Sequence, residues 1–179
     1  MKRRTLKCAV SLCLFLYSVC CMASGVAHAA GKDGGGYKLY KGAWFDIMYP
    51  AGFTVRPSIK SSTSAEGYDS VFFVSPDGKV EFYISSPQWR GSNGDIAIDE
   101  KTEKKVDEEV QKNKGRKVTY FTIAAKNGSY TRTYQHTTEN DGTAEWVIGI
   151  KYAGQKDYDR YKSDYLKFKG SLKQYADGL

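Results

Sequence analysis

Residues 69–89 read D-S-V-F-F-V-S-P-D-G-K-V-E-F-Y-I-S-S-P-Q-W, the densest apolar and aromatic stretch outside the first 29 residues. Two β-rich runs flanking Ser75-Pro76-Asp77-Gly78 predict a hairpin, because proline presets φ at the second turn position and glycine tolerates the left-handed conformation that follows. That turn sets Val74 against Val80, Phe72 against Phe82 and Ser70 against Ile84 on an apolar side. Phe73 with Glu81 and Val71 with Tyr83 make the mixed side. Residues 43–57 repeat the device around Tyr49-Pro50-Ala51-Gly52, setting Tyr49 against Phe53, Ile47 against Val55 and Asp46 against Arg56. The serine- and threonine-rich residues 58–67 have no apolar period and read as a surface loop.

Residues 99–114, D-E-K-T-E-K-K-V-D-E-E-V-Q-K-N-K, predict a helix by propensity, with Gly115 just past its end. Its apolar stripe is only Thr102, Val106 and Val110, which places it on the sheet with its charged side in water. Residues 117–152 predict a three-stranded meander. Asn127-Gly128 pairs Ala125 with Tyr130, Ile123 with Arg132 and Phe121 with Tyr134, and a three-residue Asn140-Asp141-Gly142 loop sets His136 against Trp146 and Tyr134 against Ile148. Residues 157–175 carry the best helical period, with Tyr158, Tyr161, Tyr165, Phe168, Leu172 and Tyr175 at steps of three and four. The fold class is therefore α+β, an antiparallel sheet of six to seven strands packed by a C-terminal amphipathic helix and by a second, exposed helix.

The start of the chain changes the charge and the chemistry. Lys2, Arg3, Arg4 and Lys7 precede an apolar run over residues 8–22, and Ala27-His28-Ala29 offers small residues before a cut. Residues 1–29 read as a cleaved signal peptide, too short in their apolar run for a membrane span. Residues 30–36 form a glycine-rich linker that lacks the spacing of a phosphate loop, and 37–179 form a single domain. All four cysteines lie in the leader, so the mature chain has no disulfide, thiolate metal site or cysteine nucleophile. Four of the 27 basic residues and none of the 20 acidic ones leave with it, so 23 oppose 20 and the apparent +7 is mostly leader. A periplasmic or secreted address with so modest a charge speaks against nucleic acid as a partner.

Candidate chemistry is thin. Trp89 and Arg90, beside glycines in residues 85–98, have hot-spot composition, although a large aromatic there more often folds back to lid the core. With Trp44 they are the candidate stacking and charge contacts for a small ligand, a glycan or an anionic envelope group. His136, the single imidazole of the mature chain, is a candidate pH-sensitive group beside Trp146. No nucleophile elbow accompanies it, one histidine without cysteine makes no zinc site, and Asp157, Asp159 and Asp164 do not follow calcium-loop spacing. No catalytic residue, cofactor or metal is assigned. A hydrolase with a carboxylate pair is the least favoured alternative, since that separation is spatial.

A Tyr-Pro-x-Gly-Phe hairpin at residues 49–53, two core strands, an exposed helix, a three-strand meander and a terminal amphipathic helix ending near F-x-x-S-L together resemble the PsbP-like superfamily, over nearly all of the mature chain. The resemblance implies an antiparallel sheet layered with helices and a non-catalytic accessory role. Members include photosystem lumenal subunits, a Ran-binding import factor and bacterial envelope proteins. It carries over no site residue and selects no partner. The expectation is an exported, monomeric accessory protein that contacts another envelope or secreted protein.

Overall fold

The computed structural model describes residues 36–91, 93–139 and 142–175; the predicted signal peptide of residues 1–29 lies outside them. The strands are β1 (Tyr37–Lys41), β2 (Phe45–Pro50), β3 (Thr54–Pro57), β4 (Ser70–Val74), β5 (Val80–Ser85), β6 (Glu103–Asn113), β7 (Arg116–Ala125), β8 (Thr131–Glu139), β9 (Ala144–Tyr152) and β10 (Lys173–Gln174). One α-helix, α1 (Gln155–Gly170), lies between the last two. Seven strands form an antiparallel sheet in the order β3-β4-β5-β9-β8-β7-β6, and β1-β2-β10 form a small second sheet. The architecture is α+β.

The predicted 69–89 hairpin is present, one residue out of register. Phe73 faces Phe82 and Phe72 faces Tyr83. The cause is Ser75, whose hydroxyl accepts from the Val80 N–H at 3.0 Å while its own N–H donates to the Val80 carbonyl at 2.8 Å. This closure leaves Pro76 to Lys79 in the loop, with Gly78 at φ 69° as the turn requires. Val71, Phe73, Val80, Phe82 and Ile84 consequently share one face, and Phe72 and Tyr83 share the other.

The second predicted hairpin does not form. Tyr49 to Phe53 is a corner at which the chain leaves one sheet for the other: β2 pairs with β1 and β10, whereas β3 pairs with β4. Arg56 therefore meets Glu81 at 2.6 Å, not Asp46.

The predicted exposed helix is also overturned, since residues 103–113 are the edge strand β6, paired along β7 with a bulge between Lys105 and Asp107. The meander is as expected in its first turn, with Ile123 facing Arg132 and Phe121 facing Tyr134. In its second turn four residues separate Glu139 from Ala144, so His136 faces Val147 and Tyr134 faces Gly149. Helix α1 ends at Gly170; Leu172 stays with the core, while Tyr175 turns away to donate its N–H to the Trp44 carbonyl at 2.9 Å.

The main core lies between one face of the large sheet and a layer made of α1 and the small sheet. Phe73, Phe82 and Phe168 are fully buried there, with Phe73 and Phe82 ring centroids 5.3 and 5.2 Å from that of Phe168. Tyr158, Tyr161, Tyr165 and Leu172 complete the predicted stripe. A smaller core of Phe72, Tyr83, Ile96, Tyr134 and Val147 occupies the opposite face. Gly149 makes it possible, because a Cβ there would stand 2.2 Å from the Tyr134 ring, which meets Tyr83 edge-on at 5.7 Å.

Candidate binding grooves beside the strap

Residues 93–102 cross the second face of the sheet as a strap, and buried charge holds them down. The Asp95 carboxylate, in the short 3-10 turn Gly94–Ile96, accepts from Ser70 Oγ at 2.6 Å and Tyr83 OH at 2.7 Å. Arg132 rises from β8 and spends every N–H it has. Nε and Nη2 bind the two Glu103 oxygens at 2.8 and 2.6 Å, Nη1 donates to the Ile96 carbonyl and the Tyr134 hydroxyl, and Nη2 also reaches the Ala97 carbonyl at 3.0 Å. At the far end Lys126 binds the carbonyls of Thr102 and Glu100.

Burial alone would raise the Glu103 carboxyl. Hydrogen bonds from Arg132, Tyr130 and the Asp99 N–H, with the Arg132 charge, overcome it and hold the group at about 2. Burial pushes the Tyr134 phenol up to about 12, with Arg132 opposing. An ion pair whose donors and acceptors are all committed, to each other and to the groups around them, is a staple for the strap. It has no group left for substrate chemistry.

A groove lies on each side of the strap. On one side about 340 Å³ is lined by Arg56, Glu81, Asp99, Tyr130, Arg132 and Lys151, a polar setting. On the other about 410 Å³ has an apolar floor of Ile96, Ile98, Phe121, Ile123 and Val147, rimmed by Lys105, Glu108, Lys117 and His136. Apolar centre and charged rim are the anatomy of a recognition surface. His136 sits at this rim with Nε2 2.9 Å from Glu145 Oε1, an oxygen that Asn93 of the strap also approaches at 3.5 Å. It is not beside Trp146 as the expected register had it. The one-residue shift sends Trp146 to the opposite face, under the Arg116 guanidinium.

Of the three predicted ligand contacts, Arg90 and Trp44 are bonded to different segments. Trp89 is 56% exposed and does not lid the core. Arg90 Nε donates to the Gly142 carbonyl at 3.1 Å, and Trp44 Nε1 donates to Thr63 Oγ1 at 2.9 Å. Neither tryptophan lines either groove. Arg132 and Glu103 escaped sequence reasoning although Arg132 was correctly set against Ile123, because its partner fell in a segment read as helix. Among the described residues no three histidine, cysteine or carboxylate side chains gather to hold a metal, and no helix is long and apolar enough to cross a membrane.

No protein-family model and no curated protein matches the sequence. Solved structures do. The chain is similar to cyanobacterial PsbP (CyanoP) from Synechocystis sp. PCC 6803 at 11% identity and a TM-score of 0.47, covering 84% of this chain and 99% of that one. It is similar to a protein of Bacteroides thetaiotaomicron VPI-5482 at 16% identity and 0.45, covering 81% and 50%, and to the Saccharomyces cerevisiae Ran-binding protein Mog1p at 11% and 0.37, covering 80% and 97%. The resemblance to PsbP is one of topology.

Proposed function

We propose that this protein is an exported, non-catalytic accessory protein that binds a partner protein of the envelope through the apolar-floored groove between the strap and β6 to β8. One observation carries the reading. A groove whose apolar floor shows the half-buried Ile98 and Phe121, backed by the buried Ile96, Ile123 and Val147, lies inside a charged rim, on a face whose buried ions are already neutralised by each other. Partner side chains that fill such a floor gain by desolvation, and the rim orients them. The export half of the proposal rests on residues 1–29, and the mature chain is expected to begin at Ala30.

The test is site-specific photocrosslinking in the native envelope, with the reactive residue at Thr119 in the groove and, as a control, at Ser64 in the exposed loop. The expected result is one discrete protein adduct from Thr119, absent from Ser64 and lost when Ile98→Glu charges the floor. Equal labelling from both positions overturns the groove as the contact. An intact leader on a cytoplasmic chain overturns the export half alone.

A further inference from the structure

The β6–β7 hairpin ends in Q-K-N-K-G-R-K, residues 111–117, with four cations and no acid in seven positions. From Ala30 onward the chain holds 23 basic and 20 acidic residues, so outside this tip 19 oppose 20. The net positive charge of the mature chain is thus concentrated at one hairpin end. The backbone register makes the concentration costly, because Lys112 and Lys117 are direct cross-strand partners. Like charges placed opposite destabilise a ladder, and a surface hairpin has no need of them.

Shape and support accompany the charge. Lys112, Lys114, Arg116, Lys117 and Thr138 line a concavity of about 510 Å³ around the turn at Gly115. Arg116 is positioned there by its stack on Trp146, 5.5 Å from guanidinium to ring, and by Glu139, 3.5 Å from its Nε. Lys169 of α1 adds a fifth cation to the neighbourhood: burial first, and the Arg116 charge second, hold its ammonium below the usual lysine range. Glu139 is the one carboxylate that ion-pairs with these cations among the described residues.

We propose that this tip is a binding site for phosphate-type oxyanions carrying more than one charge. Clustered ammonium groups around one guanidinium suit that chemistry, the lysines as point charges and the arginine as a fork. The site shares Lys117 with the rim of the apolar-floored groove, but Lys112, Lys114 and Arg116 belong to the tip alone, and the proposal stands or falls without the groove. Two sources present the same chemistry, the headgroups of an anionic bilayer and a soluble phosphate.

The experiment uses the mature chain at low salt with two probes, pyrophosphate followed by NMR and vesicles of phosphatidylglycerol mixed equally with phosphatidylcholine followed by sedimentation. Binding in either arm, with shifts centred on residues 112–117 and Thr138 in the first, identifies the source. It should fall on the order of tenfold in Lys112→Glu, which removes one attractive charge and adds a repulsive one. The same variant should melt no lower than wild type, since it turns a like-charge pair into an opposite one. Lys114→Glu, at the turn and outside the ladder, should lose binding similarly, and Lys38→Glu, the same charge change on β1, should not. No binding in either arm, an equal loss in Lys38→Glu, or retention in both tip variants overturns the proposal.

Discussion

Glu103 and Arg132 are each nearly excluded from water, with side chains 6% and 8% exposed, and among the described residues each is the other's only ion-pair partner. Removing one leaves the other buried and unpaired. Glu103→Ala is therefore expected to lower stability by about 3–5 kcal/mol in urea unfolding, whereas the joint replacement Glu103→Leu with Arg132→Met should recover most of the loss. A double variant as unstable as the single would deny the pair its role. A second buried carboxyl behaves oppositely. Asp69 Oδ1 has no hydrogen-bond partner, and burial pushes the group above the usual carboxylate range, with Ser61 only partly offsetting it. The Asn127-Gly128 turn was enough to set Arg132 opposite Ile123. No local pattern announced Glu103 or Asp95, because their partners lie 29 and 25 or fewer residues away in sequence and depend on the strap's path.

At the scale of elements, β6 shows why a propensity reading fails. E-K-K-V-D-E-E-V-Q-K-N favours helix in isolation, but its neighbour β7 is rich in β-branched and aromatic residues and offers a continuous ladder, and that pairing overrides a weak local preference. The thin stripe was the available clue. In the sheet the same charges guard an exposed edge eleven residues long, where an apolar sequence would invite another strand. Helix α1 was legible because its stripe was broad, and its boundary was misjudged because Tyr175 continued the period after the helix had ended. Phe168 is the centre of that stripe and fully buried. Phe168→Ala should cost about 3–5 kcal/mol, read as a lower urea midpoint at unchanged slope. A loss below about 1 kcal/mol would mean that the helix is a dispensable lid.

For the molecule as a whole these two carboxyls contribute to the pH profile in opposite directions. Glu103, with its folded value depressed to about 2, contributes stability that is present above its unfolded value and lost as pH falls toward 2. Asp69, with its folded value raised, does the reverse, favouring the fold when protonated and withdrawing that support as pH climbs through its folded value. Asp69→Asn should accordingly melt higher than wild type at pH 7 and converge with it in acid, measured by thermal unfolding across pH. A constant difference at every pH would place its effect in packing and not in charge.

The strap gives the two grooves a common wall. Ile96 turns its side chain toward one hollow while its own carbonyl, and that of Ala97, are gripped by Arg132 in the other. A guest that wedges Ile96 outward must stretch those carbonyl contacts, and an anion that drew Arg132 away would slacken the floor next door. Occupancy on one flank is therefore expected to alter affinity on the other, across the thickness of two peptide units.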